Sequence, residues 1–157
     1  MKQDRFLIGI LVFIGLLVVA ALALFFLRQD VRTYGPETTP EGVLFNYVLA
    51  VQKKDFKRAY GYLADSEGKP PYDYFLQNFQ YAQMDAALEI LSTTVEGDQA
   101  WVDLTLHYMG NGPFDNGWST TDSARLLQQD GQWKLTYMPT PYWGYDWYQQ
   151  TLIPAKP

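Results

Sequence analysis

The segment Ser123–Met138 constrains the fold most, because it can pair with itself in essentially one register. Two runs of alternating apolar and polar residues flank the dipeptide Asp130-Gly131. Asp-Gly favours a two-residue turn between strands, since glycine tolerates positive φ there. The resulting register pairs Gln129 with Gln132, Gln128 with Trp133, Leu126 with Leu135, and Ala124 with Tyr137.

This register sorts the side chains into two faces. The apolar face carries Ala124, Leu126, Trp133, Leu135 and Tyr137. The opposite face carries Arg125, Leu127, Lys134 and Thr136. Because side chains alternate along a strand, the segment predicts a β-hairpin with one buried side.

A second hairpin is predicted around Gly97-Asp98, where residues again alternate on both sides of a turn. The predicted register pairs Val95 with Ala100, Thr93 with Val102, and Leu91 with Leu104. The opposite face carries Trp101, Asp103, Thr105 and His107. The coincidence of the apolar residues on one face supports this register.

Three amphipathic helices are predicted before these strands. The first follows a capping Thr38 or Thr39 and closes near residues 52–54, with Leu44, Tyr47, Val48 and Val51 at helical spacing. Asp55 caps the second helix, which ends near Leu63. The third spans Tyr72–Met84, with Phe75, Phe79 and Ala82 on one side.

The N-terminal region predicts a membrane anchor. Residues 6–27 are uncharged and apolar, and about 20 such residues cross a bilayer core of about 30 Å. A cleaved signal peptide is the alternative, but the apolar run continues beyond the small residues at 21–23. We therefore expect a short tail (1–5), an uncleaved transmembrane helix (6–27) and a linker (28–39), in a single-pass cell-membrane protein with an extracytoplasmic domain.

Charge and cysteine content exclude several classes of function. From residue 33 to 157 the chain has eight basic and fifteen acidic groups, a net charge of −7, which argues against nucleic-acid partners. The basic cluster of Lys53, Lys54, Lys57 and Arg58 is interpreted as a solvated corner between helices. The absence of cysteine excludes disulfides and thiolate metal sites.

The order of helices and strands resembles the NTF2-like (cystatin-like) superfamily. The resemblance lies in residues 40–50 (PEGVLFNYVLA), 55–63 (DFKRAYGYL) and 131–135 (GQWKL). It implies an α+β cone over residues 40–139, with about three helices packed on a curved antiparallel sheet of about four strands. The superfamily includes enzymes, ligand binders and spacers, so the fold alone does not assign a function.

Residues that could support catalysis or metal binding are scattered. His107 is the sole histidine, and Asp103 lies about 13 Å from it along the same strand. Asp65, Glu67 and Asp73 lack the spacing of a calcium loop. The positions predicted to face the interior are inert: Ala100, Val102, Leu104, Leu126 and Leu135. No catalytic residue, metal or cofactor is therefore predicted.

The C-terminal tail, residues 140–157, has an unusual density of aromatic residues. These are Tyr142, Trp143, Tyr145, Trp147 and Tyr148, and they are the predicted ligand- or partner-binding residues. The alternative is that the tail folds back and seals the open end of the sheet. A homodimer through the sheet face carrying Trp101 is a further possibility.

Together these features predict a membrane-anchored, non-enzymatic NTF2-like domain that acts as an extracytoplasmic protein-interaction or accessory module. The first alternative is a small-molecule binder that uses the interior of the cone. An enzyme is the more remote alternative, because it requires titratable groups that face the interior.

Overall fold

A computed structural model describes residues 5–27, 32–80, 86–110 and 117–148. The chain forms two compact units, Met1–Thr33 and Tyr34–Pro157. The first contains helix α1 (Arg5–Leu27). The second contains three helices and four strands among its described residues: α2 (Pro40–Gln52), α3 (Phe56–Gly61), α4 (Tyr72–Gln80), β1 (Ala86–Glu96), β2 (Gln99–Tyr108), β3 (Trp118–Gln129) and β4 (Gln132–Tyr137).

The transmembrane anchor predicted for residues 6–27 is corrected by the structure. A helix needs about 20 apolar residues to cross a bilayer core. Over the described part of the chain, no helix has the length and apolar character that a membrane crossing requires. The predicted single-pass membrane localisation, with its extracytoplasmic domain, depended on this anchor and is corrected with it.

The helices of the second unit begin where the capping residues predict. Thr39 caps α2 by accepting a hydrogen bond from the Gly42 N–H at 3.2 Å, and Asp55 caps α3 through the Arg58 N–H at 3.3 Å. The predicted apolar faces are buried: Leu44, Tyr47, Val48 and Val51 in α2, and Phe75 and Phe79 in α4. The predicted continuation of α4, including Ala82, lies outside the described residues.

The four strands form one antiparallel sheet in the order β1-β2-β3-β4. Helix α2 lies against β1, β2 and β4. The five predicted interior positions are all at most 1% exposed: Ala100, Val102, Leu104, Leu126 and Leu135. The α+β architecture is thus confirmed, and it is the one that the resemblance implies.

Both hairpins keep the predicted register near their turns and then depart from it at a bulge. In β1 the register shifts between Ile90 and Ser92, so Leu104 pairs with Ile90 and Leu91 is 52% exposed. In β4 the shift pairs Tyr137 with Arg125 rather than with Ala124. Two interior predictions are therefore wrong, Leu91 and Tyr137, because an extra residue in a bulge moves the following side chains to the other face.

Candidate functional site

The structure places four of the five predicted binding residues in the hydrophobic core. Tyr142 is fully buried, and Trp143, Trp147 and Tyr148 are each 5% exposed. Tyr145 differs, because 96% of its surface is exposed. The alternative interpretation, in which this segment closes the interior, therefore accounts for four of the five side chains, and the binding role of the set stays a prediction.

Hydrogen bonds from tyrosine hydroxyls hold this segment in place. The Tyr47 hydroxyl donates to the Tyr142 carbonyl, and the Tyr142 hydroxyl donates to the Ala86 carbonyl, each at 2.6 Å. The Tyr148 hydroxyl donates to the Ala64 carbonyl. Burial raises the pKa of Tyr47 and of Tyr148, so both hydroxyls stay protonated as donors.

The same side chains occupy the interior that the small-molecule hypothesis requires. Phe75 stacks on Trp147 at 5.3 Å between ring centroids, and Trp143 meets Trp147 edge-on at 5.1 Å. Tyr47 packs against Trp143 at 6.2 Å. Among the described residues, aromatic rings from three parts of the chain thus pack together in the core.

The outer face of the sheet carries the other residues considered for catalysis. His107 contacts the exposed Glu89 at 2.7 Å. Asp103 accepts hydrogen bonds from Ser92 and Ser123, each at 2.7 Å. Across the described residues, no three potential metal ligands come together. The contacts described on this face are therefore polar pairs between neighbouring strands.

Trp101, proposed for a dimer interface, also lies on the outer face but is only 4% exposed. Its neighbours across the sheet are Thr94 and Arg125. The indole thus offers little free surface, and the homodimer stays a prediction.

A more distinctive feature is an open cleft of about 600 Å³ beside the first residues of β4, which we call the edge cleft. Its walls come from the segment before α2, from the end of α3 and from the turn into β4. The lining residues are Glu37, Thr38, Val43, Arg58, Gly61, Tyr62, Gly131, Gln132, Trp133 and Lys134.

The edge cleft lies beside the first residues of β4, and the chain that follows α3 pairs with β4 only further along. Further along β4, the Leu135 N–H donates to the Tyr62 carbonyl at 2.8 Å, and the Ala64 N–H donates to the Leu135 carbonyl at 2.9 Å. This short parallel bridge covers the free edge of β4 at Leu135. Helix α3 ends at Gly61, so the bridge does not extend back to Trp133.

The backbone of Trp133 lies at the edge cleft, and no described strand pairs with it on this side. Backbone groups of residues i and i+2 point to the same edge of a strand, so those of Trp133 point the same way as those of Leu135. Gln128, opposite Trp133 in β3, donates its N–H to the Asp98 carbonyl at 2.7 Å, away from β4. Among the described residues, no backbone group pairs with the N–H or C=O of Trp133 on the cleft side.

The wall formed by residues 34–38 is fixed to the domain, although the sequence assigns these residues to a linker. The fully buried Asn46 side chain accepts from the Gly35 N–H at 2.8 Å and donates to the Gly35 carbonyl at 2.9 Å. The Arg58 guanidinium lies 3.6 Å from the ring centroid of Tyr34. These contacts attach this wall of the edge cleft to α2 and α3.

Three polar side chains of the cleft form a closed network. Glu37 accepts from the Tyr62 hydroxyl at 2.7 Å and from Arg58 at 2.8 Å, and Arg58 Nε donates to the Tyr62 oxygen at 2.9 Å. The hydrogen bond from Tyr62 lowers the pKa of Glu37, which stays ionised. Burial raises the pKa of Tyr62 to about 12. The network therefore holds one fixed negative and one fixed positive charge.

No motif in the sequence predicts this cleft, because its lining residues come from distant parts of the chain. Arg58 belongs to the predicted basic cluster and Trp133 to the predicted apolar face, and Trp133 is buried, at 8% exposed. One feature of the sequence does indicate an exposed edge: the strand that contains GQWKL is the last predicted strand of the chain. The final strand of an antiparallel meander lies at an edge of the sheet.

Comparisons with known proteins give structural likenesses at low identity. No protein-family model and no curated protein matches the chain. A SEC-C motif-containing protein from Rhodopseudomonas palustris is 15% identical with a TM-score of 0.49, over 64% of this chain and 77% of that one. A protein from Campylobacter jejuni with the provisional name NTF2-like transpeptidase is 20% identical with a TM-score of 0.46, over 62% and 96%.

Proposed function

We propose that residues 34–148 form a non-enzymatic, NTF2-like binding module that takes up an extended peptide in the edge cleft. The observation that supports this most is the free backbone pair of Trp133 on an edge strand. An extended peptide can add to such an edge through main-chain hydrogen bonds, with pockets for alternate side chains. The proposal keeps the predicted class, a protein-interaction module, and moves the binding surface from the aromatic tail to β4.

The floor of the edge cleft suits an apolar side chain of such a peptide. Val43, Tyr62 and Trp133 line it, and each is less than a tenth exposed. Because side chains of a strand alternate, the peptide residue that pairs with Trp133 projects toward the same face as the Trp133 ring. One residue of the peptide would thus both pair with the Trp133 main chain and place its side chain on the apolar floor of the cleft.

The chemistry of the edge cleft favours binding over catalysis. General acid–base groups work best when their pKa lies near the operating pH. The pKa of Tyr62 is raised and the pKa of Glu37 is lowered, so both values lie further from neutral pH than usual. Both side chains are also engaged with Arg58, so neither is placed to transfer a proton to a substrate.

Gly61 lines the cleft and is a position at which a larger side chain can be introduced. A Cβ at this position meets no heavy atom within 4 Å. The probes are peptides that the full chain selects from an array of random ten-residue peptides. We expect Gly61→Phe to weaken the binding of these peptides by about tenfold or more, which corresponds to about 1.4 kcal/mol. The measurement is fluorescence anisotropy with the selected peptides.

The matched control is Gly61→Ala, which adds one methyl group and is expected to change the affinity less than about twofold. Unchanged binding by Gly61→Phe would place the peptide elsewhere on the domain. An array on which the full chain retains no peptide would contradict the proposed function itself.

A further inference from the structure

We infer that the edge cleft selects peptides with a carboxylate next to the residue that pairs with Trp133, and that Lys134 recognises this carboxylate. The inference rests on the proposed function and specifies its ligand. Lys134 directly follows Trp133 in β4 and lines the same cleft.

Lys134 has hydrogen-bonding capacity to spare. Its ammonium donates to the Gly61 carbonyl at 2.8 Å. Among the described residues no carboxylate lies within ion-pair distance of it. An ammonium has three N–H donors, so two remain for a ligand.

The charged residues that line the cleft are Glu37, Arg58 and Lys134, which sum to one positive charge. Glu37 forms its ion pair with Arg58, while Lys134 acts on the carboxylates of Glu37 and Asp65 only at longer range. The effect of Lys134 reaches across the cleft: the Tyr62 hydrogen bond lowers the pKa of Glu37 most, and Lys134 adds to that lowering. A local positive charge on a part of the chain with net charge −7 is a specific attraction for an anionic group.

Strand geometry defines where the carboxylate must lie. Successive side chains of a strand point to opposite faces, so Lys134 and Trp133 project to opposite sides of β4. In a peptide paired with Trp133, the residues on either side of the paired one project toward the face of Lys134. The expected pattern is therefore an apolar residue flanked by Asp or Glu.

Lys134 also has a purely structural interpretation, as a cation bound to the last carbonyl of α3. That role does not depend on the charge of a peptide. The test must therefore vary the peptide and the lysine together.

Two acetylated and amidated peptides serve as probes, Thr-Glu-Val-Glu-Thr and Thr-Gln-Val-Gln-Thr. Each is titrated into the ¹⁵N-labelled full chain while the Trp133 amide resonance is followed. We expect the glutamate peptide to bind about threefold to fivefold more tightly at low salt, as for an exposed ion pair. Lys134→Met should reduce this preference below about twofold, and Lys134→Arg should retain it.

Equal affinity for the two peptides in the wild-type chain, with the Trp133 resonance still shifting, would overturn the inference and leave the proposed function standing. A preference that survives in Lys134→Met would also overturn it. If neither peptide moved the Trp133 resonance, the proposed function and the inference would fail together.

Discussion

Replacing Trp147 with alanine is expected to lower the free energy of unfolding by about 3–5 kcal/mol, the usual cost of removing a large buried aromatic ring. The indole is 5% exposed and lies between the rings of Phe75 and Trp143. Phe79 contacts it edge-on at 5.8 Å. Truncation would leave a cavity bordered by several rings, and urea denaturation of the full chain measures its cost.

Tyr145 provides the matched control two residues away. Its side chain is 96% exposed, so Tyr145→Ala should change the free energy of unfolding by less than about 0.5 kcal/mol. Similar small effects for both substitutions would show that the aromatic segment is not part of the core. All five predicted residues of this segment would then again be candidates for a binding surface.

Gly42→Ala is expected to destabilise the domain by about 1–3 kcal/mol, as overpacking does. A Cβ at Gly42 would lie 2.3 Å from the Pro36 carbonyl oxygen, a backbone atom that cannot move by itself. In an unobstructed helix the same change usually stabilises by about 0.5–1 kcal/mol. The expected loss therefore measures how tightly residues 35–38 pack on α2.

Gly61→Ala is the control for this effect, because it is also helical but has no neighbour within 4 Å of its Cβ. It should leave the domain unchanged or stabilise it by up to about 1 kcal/mol. Thermal unfolding of both variants gives the comparison. A stabilising effect of Gly42→Ala would mean that residues 35–38 do not hold this wall of the edge cleft.

The sequence was most informative where local chemistry determines geometry. The Asp130-Gly131 turn predicted the pairing of Gln129 with Gln132 and of Leu126 with Leu135, and the structure has both. Capping by Thr39 and Asp55 predicted where two helices begin. These features depend on a few neighbouring residues, so composition and spacing are sufficient.

The bulges depend on more distant packing and were not predictable from alternation. The run Ile90-Leu91 offers two adjacent apolar side chains, and either could face the interior. In β4 the bulge buries Thr136, whose hydroxyl donates to the Arg125 carbonyl at 3.2 Å. The sequence does not indicate that Thr136 rather than Tyr137 faces the interior, because the partner of the threonine hydroxyl is present only in the folded hairpin.

The edge cleft could not be derived from the sequence because three distant segments form it. Glu37, Arg58 and Lys134 line it, and no local pattern brings them together. The aromatic tail illustrates the opposite difficulty. Composition identified it as unusual, but tyrosine and tryptophan are common both in cores and at interfaces. Only the surrounding contacts distinguish the buried Trp147 from the exposed Tyr145.

The most direct test of a peptide-binding edge is amide hydrogen exchange at Trp133, with Leu135 as the internal reference. In the free chain, the Leu135 N–H is bonded to the Tyr62 carbonyl and should exchange slowly, whereas the Trp133 N–H should exchange quickly. Saturation with an array-selected peptide should slow exchange at Trp133 and leave Leu135 unchanged. Slow exchange at Trp133 in the free chain, or fast exchange in the saturated complex, would contradict the proposed binding mode.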